Sequence, residues 1–312
     1  MDITNPIFQD ADKARDHLES VRWPEGPVCP HCGGTERIGK MEGKSTRPGV
    51  YKCYHCRKPF SVTVGTVFER SRVPLNKWLL ATHLMAASKK GYSAHQLHRT
   101  IGVSYKTAWF MMHRIREAMR EDSGPLGDGG GTVEVDETYW GHSKRRQKDR
   151  SQKRAGMHHK EKIVSLVQRG GRVRSNHVPA VNRKTLKPIL EERMASDANL
   201  VTDQANVYKE LGKGYASHEA VNHGIGEYVR GDVHTNTIES YFSILKRGLV
   251  GTFHHVGPQH LKRYLCEFDF RYNHRSSLGI EDTERAEILL RGIAGKRLTY
   301  RRPRPTQGAG IA

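Results

Sequence analysis

Over residues 132–136 apolar and polar positions alternate and two more strand-like runs follow by 178, whereas on either side apolar positions recur every three or four residues; these two periods divide the chain. Residues 132–136 place Glu134 and Asp136 on one face of a strand and Val133 and Val135 on the other. Residues 163–168 and 172–178 predict two further strands, joined by a hairpin turn at Gly170-Gly171. A helix follows over 185–194, then a short buried strand over 199–202 that ends at Asp203, then helices over 206–211, 237–248 and 258–273. Three strands, a helix, a strand and later helices predict an α/β fold in which helices flank a mixed sheet. In the last of these helices Leu261, Tyr264, Leu265, Phe268 and Tyr272 form a core-facing stripe, with Cys266 as an inert small residue among them. Trp140, just after the first strand, is expected to pack rather than bind.

Upstream the period is helical. Phe8, Ala11, Ala14, Leu18 and Val21 predict a short helix over 10–20, which must stop at Trp23-Pro24-Glu25-Gly26-Pro27. Trp78, Leu79 and Met85 mark one amphipathic helix in the region 74–120. Ser93 opens a shorter helix that ends at Gly102, and Ser104 caps a third that turns Trp109, Met112, Ile115 and Met119 inward. Helix, glycine turn and helix are the spacing of a helix-turn-helix. On the second helix of that pair Lys106, His113, Arg114 and Arg116 are expected on the polar side, with Lys106, Arg114 and Arg116 contacting DNA. The glycine-rich stretch 123–131 holds no regular element and reads as a linker.

Charge sharpens this picture. Lys and Arg total 52 against 33 Asp and Glu, a net charge of +19 in 312 residues, and the isoelectric point is about 9.8. Such an excess is the signature of a polyanionic partner, with DNA foremost. A mean hydropathy of −0.70 and the lack of a long apolar run argue against a membrane protein. The first twenty residues have neither the basic nor the apolar region of an export signal, so a cytoplasmic, nucleoid-associated location is expected. Two basic segments stand out: 144–154, with Lys144, Arg145 and Arg146 as candidate DNA contacts, and the proline-ended tail 291–304.

Four of the five cysteines form two Cys-x-x-Cys pairs, Cys29/Cys32 and Cys53/Cys56, separated by twenty residues. Paired knuckles at this spacing match a four-thiolate zinc ribbon holding one structural Zn²⁺, in a segment too poor in large apolar residues to fold without it. His31 and His55 lie between ligands and are expected to face solvent or DNA.

The acids carry the chemistry. Asp136, Asp203 and Glu239 each fall where a strand ends or a helix begins, and Lys246 lies seven residues beyond the last. Taken singly, Asp203 could cap a helix and Glu239 could be a favourable first-turn acid. Together they form a set of hard oxygen donors suited to two Mg²⁺ or Mn²⁺ ions, which would serve in-line displacement at phosphorus. Glu239, Ser243 and Lys246 share one helix face, which joins a metal ligand to a phosphate contact continued by Arg247. His234 and Asn236 stand close enough to reach such a site, and Asn236 could instead be the helix N-cap.

These residues resemble a known family. Val133-Glu134-Val135-Asp136-Glu137-Thr138, Val201-Thr202-Asp203, and His234-Thr235-Asn236-Thr237-Ile238-Glu239-Ser240 followed by Leu245-Lys246-Arg247-Gly248 resemble the DDE transposases of bacterial insertion sequences. Arg22-Trp23-Pro24-Glu25-Gly26 with Cys29-Pro30-His31-Cys32-Gly33 looks like the zinc ribbon of their ISXO-type branch. The resemblance spans about residues 8 to 275. It implies an RNase H-like catalytic domain, dependence on divalent metal, and binding, cutting and joining of DNA at the terminal repeats of a mobile element.

It also implies that Asp136, Asp203 and Glu239 are the acids and Lys246 the phosphate contact. Both Asn236 and Glu239 stand in the third motif; the thirty-five residues from Asp203 and the seven-residue step to Lys246 favour Glu239. The expected organisation is a ribbon region over 1–70, a helix-turn-helix domain over 71–122, a linker over 123–131, a catalytic domain over 132–290 and a basic tail over 291–312. Two copies or more are expected on paired DNA ends. A DNA-binding regulator without catalysis and a metal-dependent nuclease or junction resolvase are the competing readings.

Overall fold

The computed structural model describes residues 2–121, 124–141, 160–222, 224, 226–227 and 229–299. Lys144, Arg145 and Arg146, and the tail from Tyr300, lie outside the described residues. The chain forms two compact units. One comprises Met1–Leu84, Ala94–Ala118 and Ala286–Ala312, the other Met85–Ser93 and Met119–Arg285.

In the first unit, helix α1 (Ala11–Arg22) begins at Asp10, whose carboxylate accepts from the backbone N–H groups of Asp12 and Lys13. Strands β1 (Ile38–Lys40), β2 (Val50–Cys53) and β3 (Pro59–Ser61) form a small antiparallel sheet. Its core is aromatic: Trp23 meets Tyr51 and Phe60 edge-on, with ring centroids 5.5 and 5.8 Å away. After α2 (Leu75–Ala87), helices α3 (Ala94–Ile101) and α4 (Tyr105–Ala118) are joined by a short turn at Gly102, whose φ of 63° suits glycine. The Ser104 hydroxyl accepts from the Thr107 N–H and caps α4 as expected.

Arg114 and Arg116 depart from the sequence reading. Both are buried, as is His113, because α4 packs far more of its circumference than its charges indicate. The Arg114 guanidinium lies 5.0 Å from the Trp78 ring centroid and donates to the Glu69 carbonyl at 2.6 Å. Burial pushes its pKa down to about 10. Lys106, in the first turn of α4, is exposed.

The second unit is built on a five-stranded mixed sheet in the order β6-β5-β4-β7-β8. These strands are β4 (Thr132–Trp140), β5 (Glu161–Gln168), β6 (Val173–Val178), β7 (Asn199–Asp203) and β8 (Ser217–Val221). Strand β5 runs antiparallel to β4 and β6, while β4, β7 and β8 are parallel. Helices α5 (Arg183–Arg193) and α6 (Asn206–Leu211) cover one face, burying Leu186, Leu190 and Tyr208 against Val133, Val135 and Leu166. Helices α7 (Asn236–Gly248) and α8 (Pro258–Asn273) cover the other, burying Tyr241, Leu245, Leu261 and Phe268 against Ile163, Val167 and Val173. Trp140 packs against this second core, as does Tyr272. A two-stranded hairpin, β9 (Val229–Arg230) and β10 (Val233–His234), leads into α7, and α9 (Asp282–Arg291) is the last helix among the described residues.

The stretch expected to be a linker is partly anchored. Leu126 is fully buried in the α5 core, its N–H bonded to the Arg193 carbonyl at 2.8 Å. Gly127 beside it has a φ of 80°, and a Cβ there would come within 2.5 Å of Ala198.

Candidate functional site

Alternation along β4 sends Val133 and Val135 to the α5 side and Glu134 and Asp136 to the α7 side. The parallel register pairs Val135 with Thr202, so the next step sets Asp136 beside Asp203 at the end of β7. Glu239 comes from the first turn of α7. Asp136 and Glu239 line one open cleft of about 460 Å³ with Glu137, Ser243, Lys246 and Arg247. Lys246 lies two helical turns, about 10.5 Å, beyond Glu239 on the same face of α7. Both are exposed.

Electrostatics bind this group together. Burial pushes the Asp136 carboxyl up to about 7; the Glu137 N–H, donating to it at 2.7 Å, opposes the shift, and the charges of Glu137, Asp203 and Glu239 add to it. A carboxyl under such repulsion gains from a bound cation, and an all-oxygen donor set is the kind that Mg²⁺ and Mn²⁺ prefer. Glu137 accepts from the Tyr208 hydroxyl at 2.8 Å, and burial raises its pKa. Asp203 takes one bond from the Ala205 N–H at 3.0 Å but does not cap α6 from the N-cap position, which belongs to Ala205.

Asp203, His234 and Asn236 do not line the cleft itself, though Asp203 is near enough for its charge to act on Asp136. His234 Nδ1 is 3.4 Å from Glu134, and Asn236 is the exposed first residue of α7, whose N-cap is Thr235. The Thr235 side chain does not cap the helix. Glu134 bonds there instead: it accepts from the Ile238 N–H at 2.9 Å and the Thr237 hydroxyl at 2.8 Å. Sequence reasoning set Glu134 on the Asp136 face without giving it a role, and it passed over Arg169, Glu134's partner at 2.7 Å. The signal was an acid flanked by valines in a strand otherwise bound for burial.

The cysteines form a separate centre. The sulfur atoms of Cys29, Cys32, Cys53 and Cys56 all lie within 4.8 Å of one another, with Cys29 to Cys56 at 3.6 Å and Cys32 to Cys53 at 3.7 Å. A zinc tetrahedron with Zn–S bonds of about 2.3 Å has sulfur–sulfur edges of about 3.8 Å, so these thiols fit structural zinc with little adjustment. Gly33 N–H to Cys29 O, at 2.9 Å, closes the first knuckle, and Arg57 adopts a φ of 60° in the second. His31 and His55 are exposed beside them. Among the described residues no helix is long and apolar enough to cross a membrane.

Comparison with known proteins agrees with this geometry. Residues 129–273 match the ISXO2-like transposase domain, and residues 9–59 match the transposase zinc-ribbon domain. A protein in transposable element ISH50 of Halobacterium salinarum is 31% identical over 276 residues, covering 85% of this chain and 91% of that protein. A transposase-like protein of Haemophilus influenzae is 30% identical over 96 residues, 31% of this chain and 76% of that protein. With the thiol cluster inside the ribbon match and the acidic cleft inside the domain match, the chain belongs to the ISXO2-like transposases.

Proposed function

We propose that the protein binds the terminal repeats of an insertion sequence, hydrolyses the DNA at their ends and joins the resulting 3′-OH groups to target DNA. The observation that carries this reading is one cleft lined by Asp136, Glu239 and Lys246, with Asp203 on the neighbouring parallel strand close enough for its charge to act on Asp136. That arrangement supports an RNase H-like catalytic domain. Divalent cations held by the three acids would supply Lewis-acid stabilisation of the charge developing on phosphate.

The chain's own residues do the rest. Lys246 and Arg247, exposed at the cleft, hold the phosphodiester against the acids and offset their repulsion of DNA. In the first step water attacks phosphorus, a new P–O bond forms, and the bond to the 3′ oxygen breaks to give a 3′-OH and a 5′-phosphate. In the second, that 3′-OH attacks a target phosphodiester and displaces its 3′ oxygen, without a covalent enzyme intermediate. Exposed Lys106 at the start of α4 is placed as the N-terminal residues of a recognition helix are, which supports helices α3 and α4 as a helix-turn-helix reader of the repeats. Pairing two ends calls for at least two copies.

One assay tests the reading: purified protein, labelled element-end DNA, a target plasmid and Mg²⁺ or Mn²⁺. Joined products are expected. Cleavage without joining would make it a nuclease, and binding without cleavage a regulator. Asp136→Asn should abolish both chemical steps and leave DNA binding; equal loss of binding would remove Asp136 from the catalytic set.

A further inference from the structure

Two residues before Asp136, β4 carries an acid that the cleft does not use. Glu134 is fully buried, and a buried carboxylate persists only where donors surround it. Arg169 Nε donates to it at 2.7 Å, the Thr237 hydroxyl at 2.8 Å and the Ile238 N–H at 2.9 Å, with His234 Nδ1 at 3.4 Å. Thr237 and Ile238 belong to the first turn of α7, where helical N–H groups lack partners within the helix and a negative charge is favoured. Glu134 therefore fills from a neighbouring strand the place that an N-cap side chain takes in most helices.

The consequence lies in what each end of this clasp carries. Glu134 and Asp136 project from the same face of β4, about 6.8 Å apart along the strand. Ile238 directly precedes Glu239. One rigid strand thus holds the first acid and, two residues away, grips the turn that presents the third. Arg169 extends the grip: it donates to the carbonyls of Asp232 at 2.6 Å and His234 at 2.8 Å, which fastens the β9–β10 hairpin leading into α7.

We propose that Glu134 is a positioning residue of the acidic cleft, setting the separation of Asp136 and Glu239 by tying the start of α7 to β4. The proposal rests on the cleft being the divalent-cation site of the preceding section. A buried ion pair that only held the fold together would affect stability, DNA binding and metal binding in parallel. A positioning residue acts on metal binding and catalysis ahead of the others.

The test is a Mn²⁺ titration of the full chain by calorimetry, with melting temperature and metal-free DNA affinity measured alongside, for the parent protein, Glu134→Gln, Thr237→Val and Asp136→Asn. Gln keeps the shape and one acceptor but presents an amide to Arg169. Groups that support metal ligands typically change affinity by 10–100-fold, so Glu134→Gln should weaken Mn²⁺ binding about tenfold and slow element-end cleavage at saturating DNA similarly. DNA affinity without metal should be unchanged. Thr237→Val removes one of the bonds and should give a smaller loss, roughly threefold; it decides the matter if Glu134→Gln does not fold.

Mn²⁺ affinity equal to the parent in the folded variants overturns the proposal, as does a loss that only tracks melting temperature and DNA affinity. If Asp136→Asn itself leaves the Mn²⁺ titration unchanged, the cleft is not the metal site, and both the functional reading and this proposal fall.

Discussion

Replacing Asp269 with Asn should make the second unit's stability respond differently to pH. Asp269 is half-buried between β6, α7 and α8, where it accepts from the Tyr241 hydroxyl at 2.5 Å, the Ser175 hydroxyl at 2.7 Å and the Ser175 N–H at 2.8 Å. Burial outweighs these bonds and pushes the carboxyl up to about 6 from an ordinary 3.8. A folded-state pKa above the unfolded one means that the contribution is fully present below about pH 3.8 and is lost as pH rises through about 6.

A shift of about two units corresponds to about 3 kcal/mol in all, of which about 2 kcal/mol is lost between pH 4 and pH 7. Asn cannot ionise. Its amide offers one acceptor oxygen where the carboxyl offers two, a pH-independent penalty, so the slope carries the information. Urea unfolding followed by tryptophan fluorescence should show the stability of Asp269→Asn relative to the parent rising by about 2 kcal/mol from pH 4 to pH 7, then levelling. A gap that is constant with pH, or that moves the other way, refutes the reasoning.

Other perturbations test other parts. Chelation or Cys53→Ser should release one zinc and open β1–β3 to amide exchange, since structural zinc contributes on the order of 10 kcal/mol to such modules; zinc-free protein with a protected ribbon would contradict the site. Gly248→Ala should lower the melting temperature by overpacking of about 2 kcal/mol, because the new Cβ would lie 2.4 Å from Phe268 Cζ and 2.6 Å from the Lys90 carbonyl oxygen; unchanged melting would refute the close approach. Arg114→Met should lower melting without altering the salt dependence of DNA binding, whereas Lys106→Ala should reduce that slope by about 1 and leave melting alone. The reverse pattern would return Arg114 to the DNA surface.

Much of the second unit was legible because its signals are local. The bounds of α8 follow from Pro258 at its first turn and a long apolar stripe, and the β5–β6 hairpin follows from Gly170-Gly171. Strand β8 and the β9–β10 hairpin were not foreseen. Ser217–Val221 lies at the sheet edge with few apolar residues, and each hairpin strand is two residues long, too short for any period. Arg114 and Arg116 misled for a different reason. Charge marks a side chain as outward only until a carbonyl or an aromatic face is offered inside, as Glu69 and Trp78 offer them to Arg114.

The sequence by itself determined the ribbon and set three acids where strands end or a helix begins. Cys-x-x-Cys knuckles bring ligands together through turns a few residues long, and strand alternation places Glu134 and Asp136 on one side whatever surrounds them. Only the tertiary structure decided what each of those two meets. They share a strand, a face and a charge; Asp136 meets Asp203 because β7 joins β4 in parallel at that register, and Glu134 meets Thr237 and Ile238 because α7 begins above it. A carboxylate against the first N–H groups of a helix and one among other carboxylates stand in opposite fields, because what each encounters is fixed by contacts between segments far apart in the chain.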